Sequence, residues 1–124
     1  MKSINVSIFG ADGFTCQVPR IKEAFKNLGH IVSEKSPDLI YANDLDTLAP
    51  CYFVSKVKNT RLIYDTHELF TEVPELTLRP KIQNIWLKIE SSIFPRLKHV
   101  ITVNDSIAKI YRQKYNVAVS AVRN

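Results

Sequence analysis

Leu62-Ile63-Tyr64-Asp65-Thr66-His67-Glu68-Leu69-Phe70 passes from an apolar run directly into titratable and hydroxyl-bearing positions. A short apolar run bounded by polar residues reads as a buried strand, and the polar residues mark where the chain leaves the sheet. In open α/β sheets, ligands bind in the crevice beyond the carboxyl ends of the strands. Asp65, Thr66, His67 and Glu68 therefore have two readings: a cap that ties down a loop, or a site. His67 has acidic neighbours on both sides, and an imidazole so placed can carry a proton or donate a hydrogen bond.

Working outward, strands alternate with helices along the whole chain. Residues 4–9 form a short apolar run that ends in Gly10-Ala11-Asp12-Gly13, and residues 18–28 repeat Ile21, Ala24, Phe25 and Leu28 at helical spacing. Gly29 suits the position just past a helix, where a positive φ costs little. The spacing predicts strands over 39–42, 61–64, 99–103 and 117–122, and helices over 45–58, 80–97 and 106–115. The long helix carries Ile82, Ile85, Trp86, Ile89, Ile93 and Leu97 as one apolar stripe against the sheet, until Pro95 ends or kinks it. A membrane-surface role for this helix stays open, because its flanks are basic and Trp86 and Phe94 suit an interface. Such alternation predicts an α/β fold: a single Rossmann-like domain over residues 1–124, with a mostly parallel sheet and helices on both faces.

Composition agrees with a folded domain. The chain has 124 residues, 45% hydrophobic and 23% charged, enough for a core without disulfides. Cys16 and Cys51 lie far apart without metal-ligand spacing, so neither a disulfide framework nor a metal site is expected. No stretch is long enough to span a bilayer and no leader is evident, which predicts a cytoplasmic protein. The net charge of +5 is uneven: from Arg79 onward nine basic residues face only Glu90 and Asp105. That third of the chain either solvates helix faces or steers anionic partners, an acidic membrane surface among them. Nucleic acid is not expected, since no zinc-finger spacing, RNA-binding strand signature or base-reading helix is present.

All four polar strand ends should project from one edge of a parallel sheet: Gly10 to Gly13, Asn43-Asp44, Asp65 to Glu68, and Asn104-Asp105. The glycine turn suits phosphate oxygens, but it lacks the full dinucleotide fingerprint, and no cofactor is expected. Asp105 with Ser106 equally well caps a helix.

These residues carry a resemblance. Asp38-Leu39-Ile40-Tyr41-Ala42-Asn43-Asp44, Tyr64-Asp65-Thr66-His67-Glu68-Leu69, Ile85-Trp86-Leu87 and Val100-Ile101-Thr102-Val103-Asn104-Asp105-Ser106 together resemble the N-terminal half of a GT-B retaining glycosyltransferase of the family 4 type. The glycine turn leading into Arg20-Ile21-Lys22-Glu23-Ala24-Phe25-Lys26-Asn27-Leu28-Gly29-His30 is similar to that family's opening unit. The resemblance implies an acceptor-side domain for sugar transfer from a nucleotide-sugar donor to a glycan or lipid-linked acceptor. His67 is then the catalytic position beside the transferred sugar, and Gly10 and Gly13 approach the donor diphosphate. Asp44, Glu68, Asp65 and Asn104 line the acceptor side. The chain stops about where the family's first domain meets its second. This implies that the donor-binding domain is absent and that the polypeptide alone does not turn over nucleotide sugar. A lipid-linked acceptor implies a peripheral place on the inner membrane face. The alternatives are a non-catalytic binding subunit of a split enzyme and a receiver-like or flavodoxin-like regulatory domain.

Overall fold

The computed structural model describes residues 6–9 and 37–123, with side chains from residue 37 onward. Strand β1 is Val6–Phe9, β2 Leu39–Asn43, β3 Arg61–Thr66, β4 Val100–Thr102 and β5 Val119–Ala121. Helix α1 is Asp44–Val57, α2 Pro74–Thr77, α3 Pro80–Ile93 and α4 Asp105–Tyr115, with single 3-10 turns at Phe70–Glu72 and Phe94–Arg96. The five strands form one sheet in the order β1-β2-β3-β4-β5, and every pairing is parallel. The chain is an α/β Rossmann-like domain. The glycine turn at Gly10 and Gly13 and the predicted helix over 18–28 lie outside the described residues.

The register decides which side chains share a face. Ala42 pairs with Tyr64, Tyr64 with Val100, and Val100 with Val119. Ile40, Ala42, Tyr64, Thr66, Val100, Thr102 and Val119 therefore stand on one face, and all are buried. The other face carries Tyr41, Ile63, Asp65 and Ile101, all half-buried. From β2 to β5 every crossover advances the sheet in the same direction, and right-handed connections then put the intervening helices on one side. In agreement, α1 packs against α3, and α3 leads into Phe94, which stacks on Tyr111 and Tyr115 of α4.

Aromatic side chains dominate this layer. Phe94 meets Tyr64 edge-on at 5.8 Å, while Phe70 meets Trp86 at 5.2 Å. Each such pair contributes about 0.5–1.5 kcal/mol beyond the area it buries. The predicted stripe on the long helix is only partly right. Ile85 is exposed, and the most buried positions run Trp86, Glu90, Phe94, so a carboxylate occupies the centre of the apolar face. Glu90 Oε1 accepts from Lys114 Nζ at 2.8 Å and from the Tyr115 hydroxyl at 2.5 Å. Burial, and then that bond and the charge behind it, push the Tyr115 hydroxyl well above its ordinary range. The helix also ends earlier than predicted, at Ile93, because Pro95 has no N–H to continue the ladder.

Helix α1 spans Pro50, which cannot donate to the Asp46 carbonyl. The Thr47 hydroxyl bonds the Asn43 and Asp44 carbonyls one turn earlier, at 2.6 and 3.2 Å. No described helix is long and apolar enough to cross a membrane.

Candidate functional site at the carboxyl edge

Parallel pairing brings the ends of β2 and β3 side by side, with Asn43 opposite Asp65. The residue after β2 is Asp44, and its backbone takes φ = 60°, the left-handed region. This conformation is costly for residues with a Cβ, though Asp tolerates it better than most. Its consequence is positional. Instead of capping α1, the Asp44 carboxylate reaches across to the loop after β3. There Oδ1 accepts from the His67 backbone N–H at 3.1 Å, and both oxygens lie 3.3 Å from His67 Nδ1.

The far side of the ring faces a second carboxylate. His67 Nε2 lies 3.6 Å from Asp65 Oδ2, an ion-pair distance without a close hydrogen bond. Asp65 is itself held by the Tyr41 hydroxyl, which donates to Oδ2 at 2.5 Å across the half-buried sheet face. Burial first, and then the bond to Asp65 and its charge, push the Tyr41 hydroxyl up to about 12, so it remains a donor at neutral pH. A neutral imidazole donates to only one of two flanking carboxylates, whereas an imidazolium donates to both. The His67 side chain is 46% exposed, against 33% for Asp44 and 15% for Asp65. The ring is thus anchored through Nδ1, flanked at Nε2 by Asp65, and half-exposed to solvent as a whole.

The loop that carries His67 is fastened from beneath by hydroxyls. Thr66 Oγ1 donates to the Glu68 carbonyl at 2.9 Å, and the Tyr111 hydroxyl donates to the same oxygen at 3.3 Å. Thr102 Oγ1 donates to the Thr66 carbonyl at 2.6 Å. The Glu68 carboxyl is raised above its ordinary range, chiefly by burial, then by the negative charges of Asp44 and Glu75, with His67 offsetting part of this. Two carboxylates therefore flank one imidazole at a strand end, with the Glu68 carboxyl close enough to feel the charges of Asp44 and His67, an arrangement suited to gripping hydroxyl groups or steadying developing positive charge.

Of the residues singled out in the sequence, the structure brings Asp44, Asp65, His67 and Glu68 together. Asn104 is committed elsewhere: its Oδ1 caps α4 by accepting from the Ile107 N–H at 2.9 Å. The cap is thus Asn104 and not Asp105 with Ser106; Asp105 is the first helical residue and pairs with Arg123 at 2.7 Å. Gly10 and Gly13 lie outside the described residues. Among those described, no group of three or more His, Cys, Asp or Glu side chains is placed to hold a metal ion. Sequence reasoning missed Tyr41. Its signal was its alternation with Ile40 and Ala42, which turns it to the face that Asp65 shares.

Compared with protein-family models, with curated proteins and with solved structures, the chain matches none of them.

Proposed function

We propose that this domain is the acceptor side of a retaining glycosyltransferase, with the His67 cluster as the wall that meets the sugar. The observation that carries the proposal is a half-exposed imidazole anchored through Nδ1 and its backbone by Asp44 and flanked by Asp65 at the carboxyl edge of a parallel sheet. That edge is where α/β sheets bind ligands, and the residue pattern around it is the one that resembles the family. On this reading Nε2 hydrogen-bonds a sugar hydroxyl or faces charge that develops as the glycosidic bond breaks. Asp44 and Glu68 grip acceptor hydroxyls. Same-face transfer needs positioning and electrostatic stabilisation more than a strong base, and a tethered imidazole supplies both. The donor's nucleotide diphosphate belongs to the facing wall of such a cleft, on a second domain. Both the donor-bearing partner domain and a lipid-linked or glycan acceptor are part of the proposal.

The test is an NMR titration of the chain with a panel of mono- and oligosaccharides and their diphospholipid-linked forms. Saturable shifts at His67, Glu68 and Asp44, lost in His67→Ala, are expected. Incubation of the chain alone with nucleotide sugars should release no transferred product. Absence of shifts across the panel, or shifts confined to residues away from β2 and β3 ends, would overturn the proposal.

A further inference from the structure

The opposite edge of the sheet holds a concavity. It has a volume of about 210 Å³, and its lining comes from the last turn of α1, the turn into β3 and the loop into β4. Arg61 and His67 bracket the six-residue strand β3, so this cavity lies roughly 20 Å from the His67 cluster at about 3.3 Å per residue.

Its charge is one-sided. Among the described residues, Lys56, Arg61, Arg96, Lys98 and His99 line it, and no Asp or Glu does. Asp38, at the head of β2, stands at the same sheet edge but is not part of the lining. Among the described residues, none of the four Lys and Arg side chains is in an ion pair. Arg96 donates to the Ser92 carbonyl, and the Lys56 ammonium sits 5.2 Å above the Tyr52 ring. The carboxyl end of α1 contributes about half a negative charge at most, which does not balance four cations. Isolated surface lysines turn apart into water. These four come from three separate segments and converge on a concavity, where a positive potential is concentrated.

We infer that this amino-edge cavity is a binding site for a phosphate group. Arg61 and Arg96 bring guanidinium forks that match phosphate oxygens, and Lys56 and Lys98 add point charges. The cavity is below the roughly 300–1,000 Å³ of drug-sized sites. It therefore suits the phosphate end of a ligand, such as a phosphomonoester or a diphosphate. The phosphate comes either from a soluble ester or from a lipid headgroup.

Two arms test this on the full chain. In the first, pyrophosphate is titrated at low salt while backbone amide signals are followed. Saturable shifts at Thr60, Arg61, Lys98 and His99 are expected, and Arg61→Gln with Lys98→Gln should weaken binding at least tenfold. The charge-matched control, Lys81→Gln with Lys109→Gln, removes two exposed cations outside the cavity and should leave the affinity unchanged. In the second arm the same proteins are sedimented with phosphatidylcholine vesicles, with and without phosphatidylglycerol. Vesicle binding that requires phosphatidylglycerol and Arg61 with Lys98 identifies a headgroup source, and pyrophosphate binding without vesicle binding identifies a soluble one. No saturable binding in either arm, or equal weakening by the control pair, overturns the inference. Circular dichroism and urea unfolding establish that each variant is folded, and His67→Ala should not alter either arm.

Discussion

Replacing Asp44 separates the cost of its backbone from the value of its carboxylate. At φ = 60° an ordinary L-residue pays about 1–2 kcal/mol, glycine pays none, and Asn resembles Asp in tolerating the region. The carboxylate holds the His67 N–H at 3.1 Å, an exposed bond that contributes about 1 kcal/mol. Asp44→Ala loses the bond and carries the full backbone cost, so it should be about 2 kcal/mol less stable than the parent. Asp44→Gly loses the bond but relieves the backbone, for a net loss of about 1 kcal/mol. Asp44→Asn keeps an acceptor oxygen and the tolerated φ, and should unfold within about 0.5 kcal/mol of the parent. Urea unfolding resolves these differences: with a slope near 2 kcal/mol/M, alanine should shift the midpoint by about 1 M. Equal stability of the Ala and Gly variants would refute the imposed left-handed backbone. An Asn variant as unstable as Ala would refute the acceptor role of the side chain. Strain held at a strand end beside an anchored imidazole is a sign of a position selected for something other than stability.

Three further outcomes follow from buried or crowded groups. Lys114→Met strands the Glu90 carboxylate and should cost about 3 kcal/mol, whereas Lys114→Met with Glu90→Leu should recover most of that loss; strict additivity in a double-mutant cycle would contradict the pairing. Glu68 has a raised carboxyl pKa in the fold, so its contribution to stability is complete below the ordinary Glu range and is lost as pH rises through the folded value. Glu68→Gln should therefore gain on the parent between about pH 3 and pH 7, with no difference at the acid end, measured as urea midpoints. Cys51 is pushed up to about 12, chiefly by burial and secondarily by the Asp46 charge. In a Cys16→Ser background its thiol should resist a disulfide reagent at pH 8 until urea unfolds the chain, and stability should fall between about pH 9 and 12; rapid labelling of the folded protein would refute the burial.

The β2, β3, α1 and α4 boundaries were legible to within one or two residues because each apolar run ends in a residue with strong local preferences. Asn43 and Thr66 mark strand ends, and Tyr115 is followed by Asn116, which takes the left-handed turn at φ = 53°. Glu90 is absent from the predicted stripe because helical periodicity counts apolar residues alone. Its partners, Lys114 and Tyr115, are supplied by another helix 24 and 25 residues away, which no local pattern reveals. The short turns over Phe70–Glu72 and Pro74–Thr77 were missed because elements this brief lack a period to detect. At the candidate site, the clustering of Asp44, Asp65, His67 and Glu68 followed from parallel topology alone. The reach of Asp44 did not, since it depends on one backbone angle, and the Tyr41 to Asp65 bond depends on interstrand register. The amino-edge cations were legible as charge but not as a cavity, because their convergence is set by how α1 meets the loop into β4.

The strand order has a temporal meaning as well as a spatial one. Because β1 to β5 lie in the sheet in the order of the chain, each strand can dock on the edge left by its predecessor as synthesis proceeds, and each pairing closes one crossover instead of the whole chain. The polar partners of His67 belong to the early part of that sequence: Tyr41, Asp44 and Asp65 are in place once β2 and β3 have paired. The hydroxyls of Thr102 and Tyr111 arrive later, with β4 and α4. In chain order, the carboxylates around the imidazole are thus synthesised before the Thr102 and Tyr111 hydroxyls that fasten its loop.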